Sequence, residues 1–190
     1  LVLALLDAGG YPVDPEIATS LYAGLVTDTG SFRWGGAEAH RTAGRLLAAG
    51  AETTSLTYSL LDAHPFGWLR LKGELLRTAR LEEEAAGGRG AVWLAVPRPF
   101  TETADEQDVE SLVSSLRGVR EACVVVLLKE YSPGEWSISL RSREAGPGAE
   151  PLDVGVIASA LGGGGHPAAA GCTVRGTLAD VTVRIRELLG

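Results

Sequence analysis

The run Gly162-Gly163-Gly164-Gly165-His166-Pro167-Ala168-Ala169-Ala170-Gly171 has the residue types to hold a phosphate. Four glycines open backbone conformations closed to other residues and let the chain come close to a ligand. Consecutive free N–H groups in such a loop can form a concave anion-binding nest. His166 adds an imidazole that can donate to a phosphate oxygen. Four glycines alone would equally serve as a flexible linker. The flanks oppose that reading: apolar Val154, Val156, Ile157, Ala158 and Leu161 precede the run, and a strand-like Cys172-Thr173-Val174 follows it. The segment therefore reads as a close-approach loop clamped between two packed elements.

A second candidate lies upstream, in the stretch from Leu21 to Phe32 that contains Thr27-Asp28-Thr29-Gly30. Asp14-Pro15 is a helix start, with Asp14 as N-cap and Pro15 at the first helical position. Ile17, Ala18, Leu21, Tyr22 and Leu25 then share one helical face. This helix delivers Asp28 at its C-terminal end, where Gly30 turns the chain. A carboxylate there meets the negative end of the helix dipole and is disfavoured without a nearby cation. Asp28 is thus either a solvated turn residue or a metal ligand, and the glycine–histidine loop in the same chain shifts the balance to the ligand. Phe32 is a candidate for stacking on a base or for the core.

The elements that must position these groups follow from periodicity. Helices are expected over 1–8, from Asp14 to Val26, over 37–49 closed by Gly50, after a Thr53 or Thr54 cap, and over 65–79, with His64 a cap or surface residue before the last. Beyond Gly87-Gly88-Arg89-Gly90 the pattern becomes α/β. Strands are expected over 91–96, 122–128 (buried on both faces) and 136–143, with a helix carrying Val109, Leu112, Val113 and Leu116. Helices over 154–161 and 178–189 complete a sheet covered by helices. On the strand over 136–143, Ser137, Ser139, Arg141 and Arg143 share one face, and Trp136, Ile138 and Leu140 the other. The serine–arginine face is suited to phosphate or sugar contacts. For Arg143 a plain surface role is an equal alternative.

Leu21 to Phe32, Ser139-Leu140-Arg141-Ser142 and Gly162 to Gly171, in that order and separation, resemble the motifs of the DHH phosphoesterase family with its DHH-associated C-terminal domain. The branch most resembled is the bacterial oligoribonuclease (nanoRNase) and 3′-phosphoadenosine 5′-phosphate phosphatase. The resemblance covers nearly the whole chain. It implies an α/β architecture: the C-terminal helical part of a DHH catalytic domain over 1–63, a connecting helix over 64–80, and a smaller substrate-binding domain with a mixed sheet over 81–190. It implies a two-metal phosphoesterase, commonly with manganese, of which Asp28 would be one catalytic ligand. Arg141, Ser142, Gly162, Gly163, Gly164, Gly165 and His166 would grip the substrate. The implied partners are short RNA oligonucleotides or small nucleotides, with no membrane, a cytoplasmic setting, and room for a homodimer. Cleavage of linear or cyclic dinucleotides, and a nucleotide-binding module without catalysis, stand as alternatives.

One departure bears on activity. The Asp-His-His motif and the aspartate-rich stretch that accompany the family's metals do not occur: the histidines are His40, His64 and His166, and no Asp-x-Asp is present. The chain opens on Leu1 and contains no methionine. The expectation is a C-terminal fragment that begins inside the catalytic domain and is inactive by itself.

Composition sets the remaining bounds. At 190 residues, 45% hydrophobic and 22% charged, the chain can bury a substantial core. No apolar run has the length needed to span a bilayer, and Leu1 to Leu6 lacks the basic leader of a signal peptide. Cys123 and Cys172 have no zinc spacing and read as buried thiols of a reducing compartment. The net charge of −7 argues against coating long nucleic acid. It leaves room for a short oligonucleotide in a local basic pocket. Glu82-Glu83-Glu84 reads as solvated surface.

Overall fold

The computed structural model describes residues 1–33, 35–146 and 148–190. The chain separates into two compact units, Leu1–Ala63 and His64–Gly190. In the first, α1 (Val2–Ala8) ends at Gly9, and α2 (Pro15–Asp28) begins as the Asp-Pro pair dictates: the Asp14 carboxylate accepts from Ile17 N–H at 2.8 Å. Helix α3 (Ala37–Ala48) packs on α2 through buried Ala18, Val26, Ala43 and Leu46, and is closed by left-handed Gly50. Helix α4 (Thr54–Thr57) runs into a π-helical turn, Tyr58–Asp62. Its cap differs from the expectation. Thr53 stands at the N-cap without a side-chain bond, while the Glu52 carboxylate accepts from Thr54 N–H (3.1 Å) and Ser55 N–H (3.3 Å).

The second unit opens with α5 (Phe66–Leu76), followed by β1 (Arg80–Glu82), a single distorted turn α6 (Ala85–Gly88), β2 (Ala91–Val96), α7 (Arg98–Thr101) and α8 (Glu106–Leu116). Then come β3 (Val124–Ser132), β4 (Glu135–Ser142), α9 (Val154–Ala160), β5 (Gly164–His166), β6 (Ala169–Arg175) and α10 (Leu178–Leu189). The six strands form one mixed sheet in the order β1-β2-β3-β4-β6-β5, parallel between β2 and β3 and antiparallel elsewhere. The parallel pair is the one whose connection contains a helix of useful length, α8, as a crossover requires.

Register divides the sheet into two faces. Trp93, Val126, Leu128, Trp136, Ile138, Leu140, Cys172 and Val174 line one and are buried with Val154, Ile157, Val181 and Ile185 of α9 and α10. Val92, Leu94, Val96, Val125 and Leu127 line the other, buried with Trp68 and Leu75 of α5 and Val109, Leu112 and Val113 of α8. This second cluster stops at β3. On the same face, β4, β6 and β5 carry Ser137, Ser139, Arg141, Thr173, Gly171, Ala169, Gly164 and His166 instead. The sheet thus continues past its helical cover as a floor of small and polar residues. His64 is exposed, as expected of a surface residue, and its Nδ1 lies 2.5 Å from the carboxylate of buried Asp108 on α8. Among the described residues no helix is long and apolar enough to cross a membrane.

Candidate functional site

Asp28 is the last residue of α2 and is exposed. The threonines on either side of it turn inward to the helix: Thr27 Oγ1 donates to the Ala23 and Gly24 carbonyls, and Thr29 Oγ1 donates to Leu25 O at 2.7 Å while accepting from Phe32 N–H at 3.0 Å. Gly30, Ser31 and Phe32 then take left-handed φ values of 55°, 59° and 65°. Two consecutive non-glycine residues in that region carry strain of a kind that clusters at functional sites. The motif is therefore a built turn that leaves the Asp28 carboxylate projecting, without a partner among the described residues. Phe32 stacks on His40 at 5.1 Å between ring centroids, which places its ring inside its own unit.

Asp28 alone does not make a metal site. Among the described residues there is no group of three or more His, Cys, Asp or Glu side chains that could hold an ion. The donor set of the described residues does not fit a metal pair by itself.

The glycine run is shaped first by its own chain. Gly162 is left-handed (φ +84°), and the N–H groups of Gly162 and Gly163 donate to Ser159 O and Ala158 O, ending α9. A Cβ on Gly163 would sit 2.2 Å from the Gly171 carbonyl oxygen, and one on Gly165 (φ +145°) would sit 2.5 Å from the Ala170 Cα. The N–H groups of Gly162 and Gly163 are therefore not the free donors of the expected nest. Gly163 and Gly165 permit an edge strand to lie tight against β6. Gly164 differs, since a Cβ there would meet nothing within 4 Å. Its surface belongs to the open floor.

That floor brings two of the expected residues together. Arg141 is paired with Ala169, and Ala169 with His166, so the three form one row across β4, β6 and β5 with side chains on the same face. Two strand spacings separate Arg141 from His166 at the backbone, roughly 10 Å. Arg141 is a permanent cation with a planar fork suited to phosphate. His166 is exposed. Ala169 between them leaves space above the sheet. The next row, Ser139–Gly171–Gly164, is smaller still.

Ser142 and Arg143 do not join them. Alternation sends Ser142 to the opposite face, where it is 3% exposed and its hydroxyl has no hydrogen-bond partner among the described residues. A substrate-gripping role for Ser142 is thus at odds with this geometry. Arg143 donates to the carbonyls of Val119, Arg120 and Glu144 and is committed to the loop before β3. Asp28 lies in the first unit, apart in the chain from this row.

Two residues not singled out from the sequence complete the floor. Lys129, buried on β3, ion-pairs with Glu110 of α8 at 2.5 Å, and Glu110 also meets Arg141 at 3.2 Å. The available signal was a single lysine closing the apolar run Val124 to Leu128, which is costly to bury unless a carboxylate faces it.

Such a surface presents an arginine and an imidazole on either side of a small-residue floor. Residues 91–189 match the DHHA1 domain. The chain belongs to the DHHA1 family. This DHHA1 chain is 36% identical over 179 residues to the bifunctional oligoribonuclease and PAP phosphatase NrnA of Thermus thermophilus, over 93% of this chain and 50% of that protein. The chain thus spans about half the length of the curated relative it matches. Its fold is similar to that of an exopolyphosphatase-related protein from Bacteroides fragilis, with a TM-score of 0.80 at 21% identity, covering 93% of this chain and 50% of that one. At that identity the likeness establishes the fold.

Proposed function

We propose that this DHHA1 chain is the substrate-holding part of a phosphoesterase that degrades short oligoribonucleotides to mononucleotides and removes the 3′-phosphate of 3′-phosphoadenosine 5′-phosphate. The observation that carries the reading is the row Arg141–Ala169–His166 on the uncovered face of β4, β6 and β5. The relative from Thermus thermophilus supports it by its named activities.

In this reading Arg141 takes a phosphate oxygen through charge-assisted hydrogen bonds, and His166 donates to the phosphate from the far side of Ala169. Gly164 and Gly171 let a sugar or base lie close to the sheet. The net charge of −7 disfavours a long polymer and leaves a short strand end as the ligand suited to this floor. Asp28 contributes one carboxylate to a manganese site whose remaining ligands come from outside this chain. Cytoplasmic location and a homodimer belong to the same proposal.

The test is manganese-dependent hydrolysis of a labelled diribonucleotide by this 190-residue chain and by a version extended upstream of Leu1. Turnover confined to the extended protein, with mononucleotide products, is the expected result. Activity in neither would leave a nucleotide-binding module without catalysis. Faster cleavage of a cyclic dinucleotide than of the linear one would replace the oligoribonuclease reading.

A further inference from the structure

We propose that Glu110 is a positioning residue for Arg141, held in place by the buried ammonium of Lys129. The inference rests on the reading of Arg141 as a phosphate contact.

The four groups come from three elements and form a closed set. Lys129 is 5% exposed, and its Nζ lies 2.5 Å from Glu110 Oε2 and 3.0 Å from Ser139 Oγ. A buried ammonium needs a carboxylate and further hydrogen bonds to be tolerated. Ser139 Oγ is 3.2 Å from each Glu110 oxygen, which fixes the carboxylate from a second side. Glu110 Oε1 then accepts from Arg141 Nη2 at 3.2 Å, while Arg141 Nη1 donates to its neighbour's carbonyl, Leu140 O, at 2.9 Å.

Arg141 is thereby oriented in the free protein. A loose arginine would lose rotamer freedom on fixing a ligand, and pre-orientation removes part of that cost. Lys129 and Arg141 carry two positive charges against the single negative charge of Glu110. Lys129 is enclosed and the Arg141 side chain is 25% exposed, so the surplus positive charge faces solvent through Arg141.

The sign of one substitution decides the matter. If Glu110 were merely a carboxylate beside the anion site, removing it would relieve repulsion and tighten phosphate binding. If it positions Arg141, removing it weakens binding although the site becomes more positive. Adenosine 5′-monophosphate titrated calorimetrically into the 190-residue chain reads this directly. Glu110→Ala is expected to raise Kd about fivefold, and Glu110→Gln by less, since an amide still accepts from Arg141.

Glu110→Ala also leaves Lys129 buried without its partner, so the double variant Glu110→Ala/Lys129→Met separates instability from positioning. It should fold and still bind about fivefold more weakly than wild type. Unchanged or tighter binding by Glu110→Ala, or wild-type binding by the double variant, overturns the inference. Arg141→Ala is the control on the underlying reading. If it binds as wild type, or if the wild-type chain does not bind the nucleotide, the phosphate role of Arg141 fails and the inference with it.

Discussion

Arg141 on β4 and His166 on β5 face the same way from the sheet, one on each side of Ala169. Nothing in their sequence separation announces this. It follows from the strand order, in which β6 is inserted between β4 and β5.

The gap at Ala169 gives the first prediction. A leucine there would rise between the two side chains and occupy the space assigned to the phosphate. Ala169→Leu should fold, because Ala169 is only half-buried. It should weaken adenosine 5′-monophosphate binding about tenfold or more. Calorimetric titration beside a thermal melt separates these outcomes, and normal affinity would remove Ala169 from the floor.

Glycine substitutions should divide sharply. Gly163→Ala would drive a methyl group to 2.2 Å from the Gly171 carbonyl oxygen, and Gly165→Ala to 2.5 Å from the Ala170 Cα. Each should destabilise by about 2 kcal/mol or more, through backbone displacement in a packed sheet. Gly164→Ala meets nothing within 4 Å and should unfold at nearly the wild-type denaturant midpoint. Urea unfolding of the three variants is the measurement, with equal losses the contrary result.

Asp28→Ala tests function apart from stability. Asp28 is exposed at the end of α2, where its charge opposes the helix dipole. Its removal should leave the melting temperature unchanged or slightly raised. In the upstream-extended protein the same change should nearly abolish manganese-dependent turnover. A variant that keeps both its stability and its activity would take Asp28 out of the site.

The last helix carries a pH signature. The hydroxyl and backbone N–H of Thr177 donate to the Asp180 carboxylate in a capping box, and these bonds hold the Asp180 pKa below its ordinary value. A carboxylate with a depressed folded-state pKa lends its stability at pH above the unfolded value, about 3.9, and loses it as pH falls toward the folded one. Melting temperature should therefore drop through that acidic window. Asp180→Asn, which accepts a hydrogen bond without titrating, should show a shallower drop. Identical pH profiles would exclude the cap as a contributor.

Local chemistry was legible in the sequence wherever a residue acts on its immediate neighbours. The Asp14-Pro15 start of α2, the close of α3 at Gly50, the strand Ala91–Val96 and the helix Leu178–Leu189 follow from caps, β-branched residues and left-handed glycines, all of which operate within a few residues. The alternation of Ser139 and Arg141 against Ile138 and Leu140 was equally readable, because side-chain period in a strand is a backbone property. The Thr53 cap failed for a related reason: a glutamate one residue earlier reaches the same amides, and propensity ranks residue types without choosing between competing donors and acceptors.

What the sequence by itself determined was the set of elements, the motifs and the faces of single strands. Tertiary structure decided which of those faces is covered. The apolar residues of β2 and β3 draw α5 and α8 over one half of the sheet, while the small and polar rows of β4, β6 and β5 bury too little apolar surface to hold a helix. Arg141 and His166 become neighbours on that bare half, Ser142 is turned away from them, and Gly163 and Gly165 are required by carbonyl and Cα atoms of β6. Glu110 and Lys129 stand 19 residues apart and meet only because α8 lies against β3. Such pairings depend on strand order and helix placement, which arise from burial summed over the whole unit and are written in no single motif.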